Sequence, residues 1–237
     1  MEAPPKATVC LPTYNEAENL EKMVRALGPQ GVDVLVIDDG SPDGTGEIAD
    51  RLAGELDYVS VLHRTHKEGI GRAYIAGFEQ LLAGDSELIL EMDCDFSHDP
   101  ADVPRLIEAA ESGADLVLGS RYVPGGSTRN WGLVRRLISR GGSVYTALFL
   151  HMGVKDPTGG FKCFRRPVLE RLDLERITPR GYAFQIEMTY RARQAGFKVV
   201  EIPITFVDRV DGESKMSRSV VLEAVWRVPL LRVGRKT

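Results

Sequence analysis

The sequence has little cysteine and no long apolar run. Its three cysteines, Cys10, Cys94 and Cys163, are odd in number and widely spaced, which excludes a disulfide framework or a zinc pattern and predicts a reducing compartment. No apolar stretch is as long as a membrane span, which needs about 18 residues. The longest candidate, residues 144–154, contains His151. The first residues lack a basic segment followed by an apolar core, so we expect no signal peptide.

Several common signatures are also missing. The first predicted strand is followed by PTYNE (12–16) instead of GxGxxG, which argues against a nicotinamide-binding Rossmann domain. The lack of a basic, glycine-rich loop near the N-terminus argues against a sugar nucleotidyltransferase. The basic residues accompany no recognised nucleic-acid-binding motif, so we expect no nucleic-acid partner.

The charge of the chain is divided unevenly. The 237 residues are 43% hydrophobic and 27% charged, which is ordinary for a globular domain with a core. Residues 1–128 contain 9 Lys and Arg against 24 Asp and Glu, whereas residues 129–237 contain 21 against 10, so the halves carry −15 and +11. This division suits a ligand with both cationic and anionic parts, such as a metal with phosphates.

Short apolar strands alternate with helical stretches. Strands are predicted at 8–11, 33–37, 59–62, 87–92 and 115–118, and helices at 15–27, 43–56, 69–82 and 102–112. Continuous apolar strands such as VLVI fit a sheet that is covered on both faces. The fold class is therefore α/β, with a mostly parallel central sheet and helices on both faces.

Polar clusters follow four of the predicted strands. They are PTYNE (12–16), DDGSPD (38–43), DCDFSHD (93–99) and GSRY (119–122). Ligands of open α/β sheets bind beyond the carboxyl ends of the strands. Four such clusters on one edge predict a single site.

Two of these clusters are acidic and allow two interpretations each. Asp93 and Asp95, with Ser97 close behind, could approach one Mg²⁺ ion together, because residues two apart in a strand face the same side. They could equally form a solvated strand end with helix-capping acids. Asp39 could read a nucleobase or ribose hydroxyl, or its segment could form a turn and cap the next helix.

The second half of the chain offers cations. Arg121 precedes a glycine pair, and Arg135 and Ser139 lie four apart on a predicted helix, which places them on one face. Guanidinium and hydroxyl groups suit a phosphate, although a solvated basic face is the alternative. Arg209 and Lys215 flank VDGES, which is either an exposed linker or a lid whose cations close on a diphosphate.

Two further segments carry weaker predictions. Glu187, among apolar residues of a helix at 181–192, is expected to be partly buried and to have a partner. Residues 219–231, with Trp226, are predicted to form an apolar-faced helix. That helix either packs against the domain or lies on a bilayer surface.

Taken together, the motifs resemble those of inverting family 2 glycosyltransferases with a GT-A fold, and among them the dolichyl- and polyprenyl-phosphate mannose synthases. The resemblance covers nearly the whole chain and is carried by residues 12–20, 36–45, 63–78, 91–100, 119–126, 130–143, 156–164, 181–192 and 202–217. It implies one catalytic domain over 1–237. Residues 1–128 would form the nucleotide-sugar and metal half, and 129–237 the acceptor-phosphate half with a C-terminal lid loop.

The resemblance also implies roles for individual residues. The donor would be held by Pro12, Tyr14, Glu16, Asp39, Asp93, Cys94, Asp95, Arg209 and Lys215. Asp93, Asp95 and Ser97 would meet Mg²⁺ or Mn²⁺, although some relatives carry Gln at position 97. Arg121, Arg135 and Ser139 would hold the acceptor phosphate, and the catalytic residues would be Asp93, Asp95 and Arg121. Lys162 and Cys94 depart from the residues that are common in the family.

The implied reaction moves mannose from GDP-mannose to a polyprenyl phosphate with inversion, giving GDP and polyprenyl-phosphate β-mannose. The enzyme would sit peripherally on the cytoplasmic face of a membrane, either directly or through a membrane-anchoring partner subunit. Two alternatives stay open. One is transfer of glucose from UDP-glucose, and the other is a non-catalytic, nucleotide-sugar-binding scaffold subunit.

Overall fold

The computed structural model describes residues 5–177, 181–208 and 228–229. Nine strands lie in this part of the chain: β1 (Ala7–Thr13), β2 (Asp33–Asp38), β3 (Val59–His63), β4 (Leu88–Glu91), β5 (Leu116–Ser120), β6 (Ser127–Arg129), β7 (Lys162–Arg165), β8 (Val199–Pro203) and β9 (Thr205–Val207). The α-helices there are α1 (Leu20–Leu27), α2 (Thr45–Glu55), α3 (Ile70–Ala83), α4 (Val103–Glu111), α5 (Leu133–Phe149), α6 (Arg166–Arg171) and α7 (Gly181–Gln194). None of the described helices is long and apolar enough to cross a membrane.

The central sheet has seven strands in the order β3-β2-β1-β4-β7-β5-β8. All neighbours pair in parallel except β7, which runs antiparallel to both β4 and β5. Strands β6 and β9 form a separate parallel pair. The predicted, mostly parallel sheet is confirmed. Strand β7 lies between β4, which precedes the acidic residues Asp93 and Asp95, and the pair β5 and β8.

Helices cover both faces of the sheet, as predicted. One core cluster packs α1, α2 and α4 against one face, and a second packs α3, α6 and α7 against the other. Successive residues of β1 alternate between them, since Val9 and Leu11 enter the first cluster and Cys10 the second. This alternation explains why the strand is apolar throughout.

The first helix begins later than predicted. A helix was expected from residue 15, but α1 starts at Leu20, because Asn15 adopts a left-handed backbone with φ of 58°. The Glu16 carbonyl then accepts hydrogen bonds from the backbone N–H groups of Asn19 and Leu20, at 3.0 and 2.9 Å. The residues between β1 and α1 therefore form a loop at the edge of the sheet.

Helix α5 differs from the other helices in its exposure. Its apolar residues Leu133, Val134, Leu137 and Leu148 are 71–76% exposed. Only Ser143 and Thr146 of this 17-residue helix are buried. The sequence predicted a basic face here and missed the exposed apolar one.

Candidate active site

The loops that follow β1 and β2 are joined by hydrogen bonds from backbone to side chain. Asn15 N–H donates to Ser41 Oγ at 3.1 Å, and Glu16 N–H donates to Thr45 Oγ1 at 3.0 Å. Ala17 N–H donates to Asp43 Oδ2 at 3.2 Å. The prediction that this segment caps α2 is confirmed for Asp43, whose Oδ1 accepts a hydrogen bond from the N–H of Thr45, the first residue of the helix, at 3.1 Å. The N-cap position itself is occupied by Gly44.

Pro12, Tyr14 and Glu16 lie on or after β1, at the expected edge. Pro12 pairs with Ile37 inside the sheet. The Glu16 carboxylate accepts a hydrogen bond from the Asn19 side chain at 3.0 Å. This bond stabilises the loop between β1 and α1. The Nζ atom of Lys67 lies 3.8 Å from the Tyr14 ring centroid.

Asp39 is buried beside a cation that the sequence analysis did not assign. Its carboxylate is hydrogen-bonded to the Arg64 guanidinium, which also donates to Glu68 at 2.6 Å. Burial raises the pKa of Asp39, and the charge of Arg64 opposes that shift. Arg64 and Lys67 belong to residues 63–78, a segment that carried the resemblance, but nothing in the sequence showed which carboxylate they would meet.

The two carboxylates of Asp93 and Asp95 follow β4 directly. Ser97 N–H donates to Asp95 Oδ1 at 2.9 Å, and Asp93 N–H donates to His98 Nδ1 at 3.4 Å. The side chain of Cys94 is buried in the core cluster that contains α1, α2 and α4. Strand β4 ends at Glu91, so the expectation that Asp93 and Asp95 share one side of a strand stays a prediction.

His98 is a buried support of this loop that sequence reasoning did not single out. Its ring stacks on Phe161 with centroids 4.9 Å apart and meets the edge of Phe206 at 5.4 Å. Desolvation lowers the pKa of His98 to about 4. A neutral imidazole can accept the hydrogen bond from Asp93 N–H.

The residues present fit a hard divalent cation in part. Within the described ranges, no group of three or more His, Cys, Asp and Glu side chains forms a metal site by itself. Asp93, Asp95 and Ser97 offer oxygen atoms, which are the ligands that Mg²⁺ and Mn²⁺ accept. A cation here would need donor phosphates and water to complete its shell.

Arg121 is buried in an ion pair. Its Nε and Nη2 atoms donate to the Asp156 carboxylate at 2.7 and 2.6 Å, and its backbone N–H donates to the same carboxylate at 2.9 Å. Nη2 also donates to Thr158 Oγ1 at 2.9 Å. Asp156 is fully buried, and its pKa is lowered by Arg121, against the effect of desolvation. Arg121, which was predicted to bind the acceptor phosphate, is thus held by Asp156 in the segment 156–164.

Arg135 and Ser139 lie on α5 near Arg121. The Arg135 guanidinium pairs with Asp208 and lies 4.4 Å from the centroid of the Trp131 ring. The Arg121 guanidinium lies 5.5 Å from the same ring. Ser139 Oγ accepts a hydrogen bond from the Tyr122 hydroxyl at 2.7 Å. The structure therefore brings the three predicted acceptor residues together through two aromatic side chains that the sequence analysis did not assign.

Strand β9 connects the acidic and basic clusters. Val207 N–H donates to the Ser97 carbonyl at 3.1 Å, and Asp208 N–H donates to the Arg129 carbonyl at 3.2 Å. The Phe206 ring meets His98 on one side and Trp131 on the other, at 5.4 and 5.5 Å. The two halves of opposite charge thus meet at one edge of the sheet.

Some predicted residues lie outside the described part of the chain. Arg209, Lys215 and almost all of residues 219–231 are among them, so the predicted lid and surface helix stay predictions. Glu187 is described, and its buried carboxylate pairs with Arg191 at 2.6 Å. The expectation that it has a partner is confirmed.

Acidic strand ends on a mostly parallel sheet, next to a cluster of cations, fit the GT-A fold class. The chain belongs to glycosyl transferase family 2, whose family model matches residues 8–173.

Sequence relatives extend this likeness over nearly the whole chain. The chain is 48% identical to the polyprenol monophosphomannose synthase of Mycolicibacterium smegmatis, covering 94% of this chain and 85% of that protein. It is 49% identical to the undecaprenyl-phosphate mannosyltransferase of Micrococcus luteus, covering 92% and 90%.

Solved structures with low identity share the fold. A mannosyltransferase from Pyrobaculum calidifontis, in complex with GDP-Man and Mn²⁺, aligns with a TM-score of 0.62 at 17% identity, covering 98% of this chain and 74% of that one. Mannosyl-3-phosphoglycerate synthase from Rubrobacter xylanophilus aligns with a TM-score of 0.64 at 18% identity, covering 98% and 75%.

Proposed function

We propose that the protein transfers mannose from GDP-mannose to a polyprenyl phosphate, giving polyprenyl-phosphate β-mannose and GDP. The observation that carries the proposal is the contact of two clusters across Phe206. On one side of Phe206 lies His98, which accepts a hydrogen bond from Asp93 N–H, and on the other lies Trp131 with the Arg121 and Arg135 guanidinium groups next to its ring. A sugar nucleotide with its cation suits the first cluster, and a phosphate acceptor suits the second. The names of the two sequence relatives agree with this substrate pair.

The donor would lie along the strand ends. Asp39 would read the base or ribose, and Pro12, Tyr14 and Glu16 would line the same pocket. Asp93 and Asp95, with Ser97, would hold Mg²⁺ or Mn²⁺ against the diphosphate. When bound, the cation would neutralise charge that develops on the leaving GDP. Arg209 and Lys215 belong to the proposal as further diphosphate cations.

The acceptor would need positioning more than activation. A phosphate oxygen is already anionic near neutral pH, so no strong general base is required. Arg121, Arg135 and Ser139 would hold that phosphate in line behind the anomeric carbon, which is the main contribution of proximity. A single displacement inverts the anomeric centre, and the α-linked donor gives a β-linked product.

Purified protein supplied with three donors tests the proposal. GDP-mannose, UDP-glucose and UDP-GlcNAc are each incubated with a polyprenyl phosphate and a divalent cation, and nucleoside diphosphate release and lipid-linked sugar are measured. We expect GDP release from GDP-mannose only when the lipid phosphate is present. Transfer from UDP-glucose would favour the glucosyltransferase alternative, and binding without release would favour the scaffold alternative.

We also propose that the domain lies on a membrane surface through α5. Four of its apolar side chains are 71–76% exposed, and Arg135 and Ser139 belong to the same helix. A helix with exposed leucines and nearby Arg136 and Arg140 suits an anionic bilayer. This arrangement would place the phosphate site at the headgroup level, where a polyprenyl phosphate presents its charge. The cytoplasmic face and a membrane-anchoring partner subunit remain part of the proposal.

Flotation with vesicles of anionic phospholipid tests the role of α5. We expect the protein to float with vesicles and Leu137→Glu to lose most of this binding. Ile70→Glu, which changes an apolar residue that is 40% exposed on α3, serves as the matched control and should float as the unchanged protein does. Equal flotation of both variants would contradict a docking role for α5.

A further inference from the structure

Among the described residues, two buried nitrogen donors near the acceptor cations have no hydrogen-bond partner. Within the ranges that the structure describes, five buried side-chain polar atoms make no hydrogen bond, and the two nitrogens among them are Trp131 Nε1 and Arg135 Nε. Trp131 is only 6% exposed. A buried donor without a hydrogen-bond partner destabilises the folded protein, so a native protein that keeps one generally has a use for it.

The two donors belong to side chains in direct contact. The Arg135 guanidinium lies 4.4 Å from the centroid of the Trp131 ring. The Arg121 guanidinium lies 5.5 Å from that centroid. The Trp131 ring is also fixed by the edge of Phe206, with centroids 5.5 Å apart. Both unpaired N–H groups therefore lie in one preorganised cluster that carries positive charge.

The chemistry of the cluster selects its ligand. Indole Nε1–H and guanidinium Nε–H are donors only, so one ligand that satisfies both must offer more than one acceptor atom. A phosphate monoester offers three terminal oxygens with negative charge, and hydrogen bonds to such groups are stronger than neutral ones.

We propose that the Trp131 indole N–H binds the acceptor phosphate, donating to one oxygen while Arg135 Nε–H donates to another. This inference rests on the proposed function, because it extends the acceptor site by one residue. Trp131 adds a directed hydrogen bond without adding charge, so it orients the phosphate relative to Arg121 and Arg135.

The variant Trp131→Phe separates the N–H group from the ring. Phenylalanine retains an aromatic face for the two arginines but has no donor. We expect the KM for a polyprenyl phosphate to rise about tenfold, since a hydrogen bond to a charged group is lost. The KM for GDP-mannose should change less than about twofold. The melting temperature should not fall, because the unliganded protein loses an unpaired donor rather than a satisfied one. A lower melting temperature with an unchanged acceptor KM would overturn the proposal.

A binding measurement makes the test independent of catalysis. The chain has two tryptophans, so Trp226→Phe leaves Trp131 as the only indole fluorophore. We expect its emission to change when a short-chain prenyl phosphate is added and to stay constant with the matching prenyl alcohol, which lacks phosphate. The same response to both lipids, or to neither, would overturn the role of the N–H group. Failure of the unchanged protein to transfer mannose would instead refute the proposed function.

Discussion

The donor edge and the acceptor cluster are built in different ways. At the donor edge, loops that follow neighbouring strands hold each other through backbone N–H groups, as between Glu16 and Thr45. In the acceptor cluster, the cations are held by carboxylates far along the chain, since Arg121 pairs with Asp156 and Arg135 with Asp208. The parallel sheet positions the first region, whereas pairs of side chains position the second.

This difference bears on how each region would respond to change. A carboxylate at a strand end keeps its place when a neighbour is altered, because the sheet determines its backbone position. A buried guanidinium depends on its partner, and removing one member of such a pair leaves an uncompensated charge. We therefore expect variants of the metal-site carboxylates to act on chemistry and acceptor variants to act on binding geometry.

The largest effect is expected at the donor edge. Asp95→Ala removes a candidate cation ligand, and turnover of GDP-mannose should fall at least about a thousandfold. Mannose transfer to polyprenyl phosphate is measured over a range of Mn²⁺ concentrations. Asp85→Ala, an exposed carboxylate paired with Lys6, is the matched control and should retain full activity. Wild-type turnover of Asp95→Ala would remove this residue from the metal site.

The boundary between the two regions is expected to govern stability. Lys162 of β7 lies opposite Glu91 of β4, and both side chains are fully buried, with the ammonium 4.0 Å from the carboxylate. Burial raises the pKa of Glu91 to about 7 and lowers that of Lys162 to about 8. Between about pH 4.5 and 7 the folded protein keeps a proton on Glu91 that the unfolded chain releases. The free energy of unfolding should therefore decrease as the pH rises through this range.

Lys162→Met should make the dependence on pH steeper. In the variant Glu91 lacks the cation that lowers its pKa, so stability should keep falling as the pH rises beyond 7. At pH 8 we expect a loss of about 3–5 kcal/mol of unfolding free energy, from the cost of burying Glu91 without a partner. At pH 5, where Glu91 is protonated, the loss should be much smaller. Urea denaturation at both pH values measures the effect, and the double variant Glu91→Gln/Lys162→Met should show little difference between them. Equal losses at pH 5 and pH 8 in Lys162→Met would count against the pair.

A smaller and more selective effect is expected in the acceptor cluster. Arg135→Ala removes a guanidinium beside Trp131, and the KM for polyprenyl phosphate should rise about ten- to a hundredfold. The KM for GDP-mannose should change little. Arg25→Ala, an exposed arginine paired with Glu21 on α1, controls for loss of surface charge. Equal rises in both KM values would argue against separate donor and acceptor regions.

The smallest effect is expected from removal of a cation at the donor edge, where the KM for the donor rather than the acceptor should change. Lys67→Ala removes the ammonium that lies over the Tyr14 ring, a contact of the kind that contributes about 0.5–1 kcal/mol at exposed sites. We expect the KM for GDP-mannose to rise about two- to fivefold, with the acceptor KM unchanged. Initial rates at saturating acceptor measure it, and an effect confined to the acceptor would reverse the assignment of Lys67.

The sequence predicted the sheet better than the way its loops are tied together. Apolar runs and their spacing identified five strands of the central sheet, because strands buried on both faces are continuously hydrophobic. They did not predict that β7 would insert in the antiparallel direction. The segment 38–43 was interpreted as a turn and helix cap, and Asp43 does accept a hydrogen bond from the first N–H of α2. Ser41 and Asp43 also bind the loop that follows β1, which the sequence did not indicate. The pattern of hydrogen-bonding residues was visible, whereas the choice of partner was not.

The sequence by itself determined the α/β class and the acidic strand ends at Asp39, Asp93 and Asp95. Both follow from local hydrophobic pattern and from the rule that parallel strands end at one edge. Only the tertiary structure decided the partner of Arg121, the exposed apolar face of α5 and the unpaired N–H of Trp131. These features depend on which distant side chains meet after folding, and a burial or pairing of that kind leaves no periodic signal in the chain.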